Sequence, residues 1–220
     1  MFLPSLLEYS TESLEQKLDL INANISKFRL LTKTHDSDKI SLHLDFVLPQ
    51  FAKDRSVMKS LNPESVFNGL QNRFKDSKLS LSLHLMGDSE DLAEVYRFFG
   101  EYDFNPNWEY LFFIPEKYSN LWQSAVFSQQ KNIKTGVWLD LGEWENNDLK
   151  AGSDYLLMTV LAGKSGQKLT EQVKSDVLEL AQNYADKKFI LDGGWSVDNS
   201  EYPNNIKVVS YSSFWKNFKE

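Results

Sequence analysis

Segments with strand-like and helix-like patterning alternate about eight times along this chain, and no hairpin signal joins two strands directly. Parallel strands need a crossover, usually a helix, so such alternation predicts a parallel sheet covered by helices. The strands are expected at 2–7, 40–46, 79–86, 108–114, 135–141, 155–161, 189–191 and 206–210. Helices are expected where apolar residues recur at helical spacing. Leu14, Leu18, Ile21 and Ile25 form one such stripe, and Val66, Phe67, Leu70 and Phe74 another. A third runs over Leu92, Val95 and Phe98, and Lys168 to Ala185 is the best-formed candidate. Helices are also expected from Pro115, at 143–150 and at 212–219, with 47–62 irregular. Eight units in 220 residues read as one (β/α)8 barrel, slightly shorter than the typical ~250 residues. A doubly wound open sheet is the main competitor.

Two strands carry the chemistry. In Ser41-Leu42-His43-Leu44-Asp45-Phe46 the leucines and Phe46 alternate with Ser41, His43 and Asp45. Side chains two apart on a strand stand ~6.6 Å from each other on one face, so His43 and Asp45 can converge on one metal ion. Leu79 to Met86 repeats the arrangement, with Ser80, Ser82, His84 and Met86 on one face. The chain has 3 histidines, and two of them end these strands. Asp192 ends the seventh strand, before Gly193 and Gly194. In a barrel all four residues would meet at the C-terminal rim, where active sites gather. Two imidazoles and two carboxylates suit zinc, iron(II) or manganese.

Charge and composition narrow the partners. A net charge of −7 argues against nucleic acid and against an anionic membrane surface, which both need a clustered basic patch. With no cysteine, disulfides and thiolate zinc sites are excluded. No apolar run nears the ~20 residues that span a bilayer, and a basic leader is lacking, so a cytoplasmic protein is expected.

In order along the chain, Pro4-Ser5-Leu6-Leu7, His43-Leu44-Asp45, His84-Leu85-Met86, Gly136-Val137, Met158-Thr159-Val160, Gly166-Gln167-Lys168 and Asp192-Gly193-Gly194 resemble motifs of the ribulose-phosphate 3-epimerases. The resemblance covers nearly the whole chain and implies a ribulose-phosphate-binding barrel. It implies a divalent ion on His43, Asp45, His84 and Asp192, stabilising the enediolate formed when the C3 proton of a ketose phosphate leaves. It makes Asp45 and Asp192 the acid–base pair on opposite faces of the sugar. Ser5, Met86 and Met158 would line the substrate pocket, and Gly166, Gly193, Gly194 and Ser212 the phosphate site. It also suggests a homo-oligomer and a small sugar phosphate as ligand.

The chain departs from that pattern around the substrate. Phe46-Val47-Leu48-Pro49 replaces Val-Met-Asp-Gly, and Leu161-Ala162-Gly163-Lys164-Ser165-Gly166 replaces Asn-Pro-Gly-Phe-Gly-Gly. Tyr211 stands where a phosphate-binding glycine is usual, and Trp195 follows the double glycine. Asp140-Leu141 replaces Asn-Pro in strand five. Two readings follow: an epimerase acting on ribulose 5-phosphate or a related sugar phosphate, and a degenerate barrel that binds a sugar phosphate or protein partner without turnover.

Overall fold

The computed structural model describes residues 2–32, 38–119, 131–144, 149, 154–163, 166–196 and 202–219. Eight strands close into one all-parallel barrel in chain order: β1 (Phe2–Leu6), β2 (Lys39–Val47), β3 (Lys78–Met86), β4 (Trp108–Pro115), β5 (Ile133–Leu139), β6 (Tyr155–Met158), β7 (Phe189–Asp192) and β8 (Ile206–Ser210). Among the described residues the helices are α1 (Thr11–Ala23), α2 (Ile25–Thr32), α3 (Pro49–Arg55), α4 (Pro63–Phe74), α5 (Ser89–Glu101), α6 (Glu171–Asn183) and α7 (Ser212–Lys219). None of them is long and apolar enough to cross a membrane.

Alternation sorts the side chains. Leu42, Leu44 and Phe46 of β2, with Leu79, Leu81, Leu83 and Leu85 of β3, point outward under the helices. There they pack with Leu14 and Leu18 of α1 and Phe67 and Leu70 of α4. Each such burial contributes about 1.5–3 kcal/mol before ordering costs, so these strands are held firmly against their helices. The opposite faces fill the barrel interior with Leu3, Met86, Phe113, Trp138, Leu156, Met158, Ile190 and Val209. β2 and β3 pair over their whole length, from Lys39 opposite Lys78 to Val47 opposite Met86. That register sets Asp45 opposite His84 and His43 opposite Ser82, while β1 sets Ser5 opposite His43.

Local chemistry fixes the helix starts. Ser10, Asn62, Asp88 and Thr170 each accept a backbone N–H as side-chain caps of α1, α4, α5 and α6. The cap at Thr170 starts α6 at Glu171, later than the expected Lys168. The first helical stripe is broken at Asn24, and α2 follows at once.

The largest correction concerns 47–62, expected to be irregular. Pro49 opens α3 in its first turn, and the preceding Leu48 supplies no side-chain cap. Asp91 of α5 does that job from another element, accepting the N–H groups of Gln50 and Phe51 at 3.1–3.2 Å. Strand five lies two residues earlier than expected, strand six stops at Met158, and strand seven extends to Asp192. From Pro115 the described residues show only a 3-10 turn, Glu116–Tyr118. The rest of that expected helix, most of 143–150 and Lys164 lie outside the described residues.

Candidate metal centre

β2, β3 and β7 deliver His43, Asp45, His84 and Asp192 to one point. Each offers a donor atom, and the four donors lie within 4.8 Å of one another. Nitrogen and oxygen alternate around the set. His43 Nε2 is 3.2 Å from Asp45 Oδ1 and 3.5 Å from Asp192 Oδ2. His84 Nδ1 is 3.2 Å from Asp45 Oδ1 and 3.3 Å from Asp192 Oδ2. Donors sharing one ion with bonds of about 2.1 Å lie roughly 3 to 4.2 Å apart, close to this spacing. Both rings are wholly buried.

The donor set fits a cation on chemical grounds. Two carboxylate oxygens and two ring nitrogens face one another, and bare lone pairs in that arrangement would repel. Something positive must lie between them. With protons in that role, burial pushes the His43 imidazole down, but the Asp45 and Asp192 carboxylates outweigh it and raise it from 6.5 to about 10. His84 is raised by the same opposition, burial against the two aspartates. Burial pushes Asp45 up, and the two imidazoles overcome it and hold Asp45 well below the usual carboxylate range. A divalent ion can replace those protons.

The metal-free protein has a definite pH signature. Because folding raises His43, that contribution is complete below about pH 6.5 and fades as pH rises through about 10. Urea midpoints of metal-free protein are therefore expected to fall from pH 7 to 10, a fall that the metal-loaded protein does not share. Parallel pH profiles for the two forms would contradict this assignment.

Neighbours aim the ligands. Ser82 Oγ lies 3.0 Å from His43 Nδ1 and turns Nε2 toward the cluster. Ser5 Oγ donates to Asp45 Oδ2 at 2.5 Å, which leaves Asp45 Oδ1 to the histidines. The His84 ring meets the Trp138 indole edge-to-face at 4.9 Å. Ser82 had a legible signal, since it shares the inward face of β3 with His84. Ser82→Ala is expected to weaken metal affinity by about 10–100-fold without unfolding the barrel, read by competition with a chelator.

Above the cluster lies a cavity of about 270 Å³. Ser5, Asp45, Met86, Met158 and Asp192 line it, as do Gly166, Gly193, Gly194 and Ser212. Every residue expected around the substrate therefore borders one space. The double glycine has a packing reason of its own. A Cβ on Gly193 would come within 2.2 Å of Val160 Cγ2, and one on Gly194 within 2.5 Å of the Leu169 nitrogen. Thr159, quoted in the strand-six motif but given no role there, holds this turn, with Oγ1 2.6 Å from the Gly193 carbonyl oxygen. Trp195, which follows the double glycine, is buried and donates its indole N–H to Thr159 Oγ1 at 3.0 Å.

No protein-family model matches this chain, and no curated protein does.

Two departures from the expected pattern acquire positions. Tyr211 lines the cavity, and its hydroxyl accepts from Lys17 Nζ at 2.8 Å. Lys17 is also paired with the buried Glu8. The rebuilt segment after β2 forms α3, which packs on the interior cluster. Ala52 joins the interior cluster beside Met86 and Val160, and Phe51 packs on Trp138 of β5. Arg55 pairs with Asp140 at 2.5 Å, so Asp140 serves as an anchor for α3.

Proposed function

We propose that the protein is a metal-dependent epimerase acting at C3 of a ketose phosphate, ribulose 5-phosphate or a related sugar phosphate. The observation that carries this reading is that Asp45 and Asp192, from strands on different sides of the cavity, both border it while flanking the same two imidazoles. One carboxylate takes the C3 proton, and the bonding pair passes into an enediolate. The other carboxylate delivers a proton to the opposite face of C3, so the centre inverts and the two aspartates exchange protonation states. A divalent zinc, iron or manganese ion on His43, Asp45, His84 and Asp192 would supply Lewis-acid stabilisation of the charge developing on the sugar oxygens.

Other features support the reading. α3 packs Ala52 into the apolar cluster with Met86, Met158 and Val160, which border the cavity, and this limits water around a reactive carbanion equivalent. Ser212 begins α7 at the cavity wall, and a helix N-terminus there suits a phosphate. The ordered motifs that resemble the epimerases fall on this same set of residues.

Tyr211, in place of a glycine at that wall, favours a second reading, a barrel that binds a sugar phosphate without turnover. One experiment separates the two: metal content of the purified protein, with solvent deuterium uptake at C3 of ribulose 5-phosphate. Bound metal with uptake supports the epimerase. Thermal stabilisation by ribulose 5-phosphate, without uptake, selects the binding barrel. No metal under replete conditions would overturn the four-ligand centre.

A further inference from the structure

The barrel has another cavity at its opposite, N-terminal end. It measures about 360 Å³, and Lys131, Lys134, Lys188 and Lys207 line it together with Glu109 and Asp154. Its depth comes from the strand period. Val209 faces the interior, so Lys207, two residues earlier on β8, faces it too, while Lys188 stands exposed just ahead of β7. Phe113 and Ile190 also border this cavity, and both belong to the interior cluster that includes Met86 and Met158 beside the metal centre.

The charge here runs against the rest of the molecule. The chain carries −7 overall, yet four lysines meet two carboxylates around this one space. Glu109 is engaged by Lys39 at 2.8 Å. Among the described residues, Lys134, Lys188 and Lys207 have no ion-pair partner within 4 Å. Lys207 is half-buried, a costly place for an ammonium that Asp154 and Glu109 offset only in part. Burial, and after it the Lys188 charge, push the Lys207 ammonium below its ordinary value. An anion in the cavity would reverse that cost.

We propose that this N-terminal cavity binds a compact dianion, a phosphate or a short dicarboxylate, with Lys207 as its deepest contact and Lys134 and Lys188 at its entrance. Lysines converging as point charges suit either anion, and 360 Å³ accommodates one with its water. This site is independent of the metal centre and of the reaction proposed there.

The test is calorimetric titration of the metal-loaded full chain at low ionic strength, with inorganic phosphate in one arm and succinate in the other. Saturable binding of at least one is expected, and the tighter arm identifies the chemistry. Lys207→Met is expected to weaken it about tenfold or more, and Lys134→Ala, an exposed change safe for folding, by a smaller factor. Asp192→Asn should leave it unchanged, which separates this cavity from phosphate held above the metal centre. Should Lys207→Met fail to fold, Lys134→Ala combined with Lys188→Ala decides in its place. The proposal is overturned by the absence of saturable binding in both arms. It is equally overturned by affinities that the lysine variants leave unchanged, or by a loss confined to Asp192→Asn.

Discussion

Asp192→Asn is expected to lower deuterium uptake at C3 of ribulose 5-phosphate by about 10³-fold, within the range typical of losing a positioned acid or base. Asn keeps the size of the side chain at the end of β7, where 8 % of Asp192 remains exposed to the cavity. On the proposed mechanism, what it removes is the exchangeable carboxyl proton on one face of the sugar. Metal content must be measured on the same sample, because Asp192 Oδ2 is also one of the four donors. The informative comparison is Ser82→Ala, which loosens the metal without touching the substrate. At saturating metal that variant should regain uptake, while Asp192→Asn should not. Uptake by metal-loaded Asp192→Asn within tenfold of the parent would remove Asp192 from the acid–base pair.

Gly194→Ala is expected to destabilise the fold by about 3 kcal/mol, because a strained backbone and a steric clash coincide there. Gly194 has φ +77°, and an added Cβ would lie 2.5 Å from the Leu169 nitrogen and 2.9 Å from its Cβ. Leu169 immediately precedes Thr170, the cap of α6, so the contact cannot relax by rotating a flexible side chain. Either the start of α6 or the turn after Asp192 must move. Gly142→Ala is the control: φ is +85° there, but nothing lies within 4 Å of the added atom. It isolates the left-handed backbone penalty, about 1–2 kcal/mol. Urea midpoints read both, and equal losses would show that the Leu169 contact is immaterial. Metal content should fall with Gly194→Ala, since Asp192 rides on the same turn.

The sequence revealed most of what is periodic and little of what is long-range. β2 and β3 could be read because seven outward apolar side chains alternate with polar ones, and that alternation also set His43, Asp45 and His84 on the inner face. α3 could not be read that way. Seven residues are too few to show a helical stripe, and the carboxylate that caps it, Asp91, lies 40 positions away. Lys17 was hidden for a similar reason: on α1 it looks like a solvated residue, and only closure of β8 against β1 brings Tyr211 to it. The indole hydrogen bonds leave no mark in the sequence pattern either. In the structure Trp138, Trp144 and Trp215 donate their indole N–H groups to the carbonyls of Leu85, Met158 and Ser5. Each bond pins a strand end within one residue of Ser5, Met86 or Met158 at the cavity.

The burial of the two histidines also governs the timing of ligand exchange. His43 and His84 are 0 % exposed, while Asp45 and Asp192 show only 7 % and 8 %, toward the cavity. α3 is fastened at both ends, by Asp91 and by the Arg55–Asp140 pair, so it makes a poor gate. An ion held by these four residues would therefore enter and leave through the cavity that the proposed function assigns to the sugar. On the proposed function, loading would be ordered, metal before substrate, and a seated ligand would act as a stopper that slows metal escape.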